Sequence, residues 1–118
     1  MARTVLIVDD HPSFRSSARA ILEADGFTVV GEARDGSSAL AEAARLRPDV
    51  VLLDVQLPDL SGFDVCATLC SANGSSPAVV LVSSRDAADY GDEIAGCGAV
   101  GFVPKAELSG AALRVLLA

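Results

Sequence analysis

The 118-residue sequence predicts one α/β domain: a five-stranded parallel sheet with helices packed on both faces. Three observations carry this reading. Runs at 4–8, 50–53 and 78–82 are built almost wholly from valine, leucine, isoleucine and alanine, with no polar alternation, as in strands buried on both faces. Segments with apolar residues at helical spacing separate them. The runs end at Asp9-Asp10, Asp54 and Ser83, so polar groups stand at the carboxyl ends of strands, the edge where open α/β sheets place their ligands.

The run 4–8 opens the chain as the first strand. Pro12 suits the first turn of a helix, where its missing donor costs nothing, and Phe14, Ala18, Ile21 and Leu22 give that helix an apolar face until Gly26. A short, less apolar strand at 27–31 belongs nearer an edge. Asp35-Gly36-Ser37 forms a turn and cap before a second helix through Leu40, Ala43 and Ala44, stopped by Pro48. The third strand ends at Asp54, and Pro58 and Gly62 break the chain before a helix over 62–71. A loop at 73–77 precedes the fourth strand. The segment 86–95 reads as a helix weakened by Gly91, which costs about 1 kcal/mol relative to alanine. A fifth strand at 99–103 ends near Lys105, and 108–117 forms the last helix, with Leu108, Leu113, Leu116 and Leu117.

Composition excludes several function classes. Hydrophobic residues make up 51% and charged residues 21%, which describes one folded domain over 1–118 with an aliphatic core. A net charge of −7 opposes direct binding of nucleic acid or an anionic membrane. The run 4–8 is too short for a signal peptide and meets two acids at once. No stretch reaches membrane-spanning length. Three cysteines without metal-site spacing suit a reducing cytoplasm.

Right-handed crossovers bring every carboxyl strand end to one edge, so Asp9, Asp10, Asp54, Ser83 and Lys105 should converge. Three carboxylates this close repel unless a cation joins them. Oxygen ligands in a small site favour a hard ion such as Mg²⁺. A lysine charge and a serine hydroxyl beside one carboxylate complete a constellation for phosphoryl transfer onto it.

Val8-Asp9-Asp10-His11-Pro12, Leu53-Asp54-Val55-Gln56-Leu57-Pro58 with Gly62, Val82-Ser83-Ser84 and Gly101-Phe102-Val103-Pro104-Lys105 together resemble the response-regulator receiver domains of two-component signalling. The likeness runs through nearly the whole chain and favours the subfamily usually fused to a helix-turn-helix DNA-binding domain. It implies a flavodoxin-like, doubly wound (βα)5 fold with strand order 2-1-3-4-5. It also implies that Asp54 accepts a phosphoryl group from a histidine kinase or phosphotransfer protein. Asp9, Asp10, Asp54 and the backbone carbonyl of Gln56 would hold Mg²⁺. Ser83 and Phe102 take the switch positions, Lys105 the lysine position, and Gln56 and Arg85 the positions that tune dephosphorylation. Such a domain is a regulatory phosphoacceptor, not an enzyme beyond its own phosphorylation and dephosphorylation. Its output is the surface around the fourth helix and fifth strand, where Phe102 would rotate inward as Ser83 moves. A homodimer strengthened by phosphorylation is expected, with no nucleic-acid or membrane contact by this domain.

Two features depart from the resembled pattern: Ala106 follows the lysine where a proline is common, and the switch aromatic lacks a hydroxyl. A Mg²⁺-dependent phosphatase acting through an aspartyl phosphate would need an acid where Gln56 stands. His11 reads as a polar loop or cap residue rather than a transition-metal ligand. Cys66, Cys70 and Cys97 read as small fillers rather than a metal set.

Overall fold

The computed structural model describes residues 3–71 and 76–118. The strands are β1 (Thr4–Val8), β2 (Thr28–Ala33), β3 (Val50–Asp54), β4 (Ala78–Ser83) and β5 (Gly101–Pro104). The helices are α1 (Pro12–Ala24), α2 (Gly36–Leu46), α3 (Gly62–Cys70), α4 (Glu93–Gly96) and α5 (Gly110–Leu117). All strand pairings are parallel and the order is β2-β1-β3-β4-β5. This is the five-stranded, doubly wound arrangement that the sequence predicts. Of the expected loop at 73–77, residues 73–75 lie outside the described residues. Among the described residues, no helix is long and apolar enough to cross a membrane.

The unalternating strands divide their side chains between two cores. Leu6, Val8, Val51, Leu53, Val79 and Leu81 face Ala39, Ala43, Val65 and Leu69 of α2 and α3. Val5, Ile7, Val50, Leu52, Val80 and Val82 face Ala18 and Leu22 of α1 and Leu113 of α5. Burial on both faces is what excludes polar residues from these runs. Each fully buried valine or leucine contributes roughly 1.5–3 kcal/mol of transfer free energy.

Several boundaries move, each for a local reason. β2 runs on to Ala33 because Gly31 lies inside the strand, where a side chain would drive into Leu46, its Cβ only 2.7 Å from Cδ1. The pairing of β1 with β2 skips Val30. Ile21 is exposed, leaving Phe14, Ala18 and Leu22 as the inner face of α1. Leu108 is buried ahead of α5, which starts two residues later than expected, where Ser109 accepts the Ala112 N–H at 3.0 Å. β5 likewise spans Gly101–Pro104 rather than 99–103, and Val100 is exposed before it. Among the described residues no peptide bond is cis, so Val103–Pro104 is trans.

The segment 86–95 departs most. A 3₁₀ turn at Ala87–Tyr90 and the single turn of α4 replace the expected continuous helix. Gly91 separates them at φ +59°, ψ −130°, a conformation that a helix cannot include and that side-chain-bearing residues rarely adopt.

Candidate functional site

β1, β3, β4 and β5 deliver Asp9, Asp54, Ser83 and Lys105 to one edge of the sheet. Asp9 is fully buried and Asp54 only 4% exposed, while Asp10 stays exposed. Lys105 Nζ lies 2.6 Å from Asp9 Oδ2 and 3.3 Å from Asp54 Oδ2. It also sits 4.5 Å from the centre of the Phe14 ring, a cation–π contact that holds the ammonium at the mouth. The approach to Asp9 Oδ2 is close but off hydrogen-bond geometry, so that buried oxygen has no directed partner.

The remaining bonds orient the two buried acids. His11 gives its backbone N–H to Asp9 Oδ1 at 2.8 Å, and its ring Nδ1 lies 3.0 Å from that atom and 3.1 Å from Asp10 Oδ1. His11 stands at the N-cap position of α1, but its side chain caps nothing and faces the acids instead. Arg15 Nη1 donates to the Asp9 carbonyl at 2.6 Å while its Nε holds Glu32 at 2.9 Å, fastening the acidic turn to α1 and β2. Asp54 Oδ1 accepts the Gln56 N–H at 3.2 Å.

The loop from Asp54 to Gly62 is braced in three places. Gly62 N–H closes onto the Val55 carbonyl at 2.8 Å, and Gln56 and Ser61 form an antiparallel bridge. Asp59 accepts the N–H groups of Gly36 and Ser37 at 2.7 and 3.0 Å. Its carboxylate thus satisfies orphan donors at the positive end of α2.

Burial and charge set the ionisation of the pair. Burial pushes the Asp54 carboxyl up to about 6, helped by the negative Asp9, while the Gln56 N–H and Lys105 offset part of the rise. Burial also works against Asp9, but Lys105 and the His11 contacts outweigh it and hold that carboxyl below its ordinary value. Lys105 gains from both acids more than burial takes away, so its pKa is raised. One lysine faces two buried carboxylates.

The donor set fits a hard cation. One ligand atom each from Asp9, Asp10, His11 and Asp54 lie within 4.8 Å of one another. The carboxylate oxygens of Asp9, Asp10 and Asp54 are the donors that Mg²⁺-like ions prefer. Gln56 is exposed beside Asp54, and Arg85 is exposed beyond Ser83. The cysteines are not a ligand set among the described residues. Cys66 and Cys97 are buried, and the Cys66 and Cys70 sulfurs are 4.0 Å apart.

Ser83 stands one step beyond Val82, the residue that pairs with Asp54. Its hydroxyl is turned to another partner, Tyr90 Oη at 2.6 Å, and accepts the Arg85 N–H at 3.1 Å. The Tyr90 ring packs edge-on to Phe63 with centroids 5.4 Å apart, and tilted against Phe102 at 5.9 Å. Nothing in the spacing of apolar residues marks Tyr90 or Asp59, and Arg15 reads from the sequence only as an outward position of α1. Tyr90 is the sole tyrosine, seven residues after Ser83, and only the 3₁₀ turn brings it back over the strand end.

The model of the response regulator receiver domain family matches residues 5–115. The DNA-binding response regulator MtrA of Mycolicibacterium smegmatis is 42% identical over 75% of this chain and 38% of its own length. The DNA-binding transcriptional activator EvgA of Escherichia coli K12 is 34% identical over 86% of this chain and 50% of its own. The chain therefore spans about half, or less, of the curated relatives it matches. The chemotaxis response regulator CheY4 of Vibrio cholerae superposes with a TM-score of 0.83 at 27% identity, covering 99% of this chain and 97% of that one.

Proposed function

Because the chain belongs to the response regulator receiver domain family, we propose that it is a signalling switch that takes a phosphoryl group onto Asp54. The observation that carries this is the placement of Lys105 Nζ between buried Asp9 and buried Asp54 at the carboxyl edge of the sheet.

An Asp54 carboxylate oxygen attacks phosphorus, the bond from phosphorus to the donor imidazole nitrogen breaks, and that nitrogen leaves with the electron pair. A carboxyl that titrates near 6 is ionised at neutral pH and ready to attack. Lys105 meets the charge growing on the phosphoryl oxygens. A Mg²⁺ ion held by Asp9, Asp10, Asp54 and the Gln56 carbonyl would neutralise those oxygens further. Gln56 and Arg85, both exposed, are the residues we assign to tuning the lifetime of the acyl phosphate.

The donor we assign is a histidine kinase or phosphotransfer protein, and the output is control of transcription. The DNA-binding descriptions of MtrA and EvgA support that output. Self-association strengthened by phosphorylation is part of the same reading. Incubation with acetyl phosphate and Mg²⁺, followed by intact mass, tests it: one phosphoryl group should appear on the wild type and none on Asp54→Asn. An unmodified wild type would refute it.

A further inference from the structure

We propose that Tyr90 is the positioning residue of the switch: its hydroxyl holds Ser83 in the resting arrangement, and Asp54 phosphorylation must break that bond to recruit Ser83. This rests on Asp54 being the phosphoacceptor.

The hydrogen bonds of Ser83 hold its hydroxyl away from Asp54 in the resting state. A serine hydroxyl has one proton and two lone pairs, and the Arg85 N–H already takes one lone pair at 3.1 Å. If Ser83 donates to Tyr90, no proton remains for a phosphoryl oxygen. If Tyr90 donates, the serine proton stays free, but both lone pairs are filled and the oxygen is held at the Tyr90 side. Either way the 2.6 Å contact, an ordinary hydroxyl–hydroxyl distance, opposes movement of Ser83 toward Asp54. Ser83 is 1% exposed, so bulk water does not readily replace a lost partner.

The surroundings place Tyr90 where it can respond. Phe63 and Phe102 bracket its ring, so a shift of Tyr90 is felt at the fifth strand without a hydroxyl on Phe102. Tyr90 also ends the 3₁₀ turn just before Gly91, whose φ of +59° separates that turn from α4. Its ring lines an open groove with Leu57, Phe63 and Glu93, which gives it room to move outward without displacing the buried strands.

The test uses the whole chain, Mg²⁺ and beryllofluoride as the phosphoryl mimic. Tyr90→Phe keeps the ring and removes one hydrogen bond, so it should tighten beryllofluoride binding roughly two- to tenfold, the fold-change equivalent of one net hydrogen bond. In a Ser83→Ala background the same substitution should change nothing. A role in packing alone would weaken binding or leave it unchanged in both backgrounds. With one tyrosine and no tryptophan, intrinsic emission reports Tyr90 directly, and beryllofluoride should alter it in the wild type but not in Asp54→Asn. Binding that Tyr90→Phe leaves unchanged, or emission that does not respond, overturns the inference alone. A wild type that fails to bind beryllofluoride overturns the phosphoacceptor reading and this inference with it.

Discussion

Gly62 packs directly beneath the backbone of Asp54: a Cβ there would meet the Asp54 carbonyl oxygen and come within 2.7 Å of Val55 Cα. Neither obstacle is a flexible side-chain end. Gly62→Ala must therefore push α3 away from β3, at a cost of roughly 1–3 kcal/mol. Urea denaturation should show that loss, together with weaker Mg²⁺ binding. A variant as stable as the wild type would mean that the loop adjusts freely.

Magnesium should stabilise the fold. At a hundredfold excess over its dissociation constant the gain is about 2.7 kcal/mol by mass action. Melting of the wild type should rise with millimolar Mg²⁺, and Asp10→Ala should lose most of the rise. Equal melting curves with and without Mg²⁺ would rule out the site.

Removal of the divalent ion exposes the titration of Asp54. A carboxyl pushed up to about 6 binds its proton more tightly in the folded state than in the unfolded chain, where its pKa is about 4. Stability therefore falls as pH rises between those values, by on the order of 2 kcal/mol. Asp54→Asn should match the wild type near pH 4 and exceed it increasingly through pH 6. Asp9 and Asp54 share Lys105 and repel one another, so the difference reports the titration of the pair. Parallel stability profiles would contradict the burial argument.

Ser83→Ala keeps Asp54, Lys105 and the acids, and should still take phosphate from acetyl phosphate. It should lose the amide-shift changes that beryllofluoride produces across residues 84–103. A full response in this variant would remove Ser83 from the coupling.

Self-association has a narrower apolar surface to draw on than the leucines suggest. Leu108 and Leu113 are buried, while Leu116 and Leu117 lie against the core. The exposed apolar residues beside them are Val115, 76% exposed, and Val100. Beryllofluoride should raise the sedimentation coefficient of the wild type, and Val115→Asp should suppress the rise. A strict monomer with and without beryllofluoride would refute the expected dimer.

The interior strands were legible because burial on both faces leaves a one-signal pattern: Val50 to Leu53 admit no polar residue, and neither does the run from Val5 to Val8. Asp9, Asp54 and Lys105 were legible for a topological reason, since parallel crossovers send every strand end to one edge. β2 was harder to place because a glycine reads as a stop, whereas Gly31 is a strand position that makes room for Leu46. The Tyr90 contact was invisible for a different reason. It depends on a 3₁₀ turn in place of a helix, and the spacing of apolar residues does not separate the two over four positions. Asp59 was hidden similarly, because its partners are backbone N–H groups of another element.

Those two Asp59 bonds, with the Gly62 closure and the Gln56–Ser61 bridge, set how this segment can diversify. An inserted or deleted residue between Asp54 and Gly62 would unseat the start of α2 or the backbone beneath Asp54. Gln56 is exposed and enters that bracing through its backbone. A substitution at Gln56 therefore leaves the bracing intact, whereas a change in the number of residues in the loop does not.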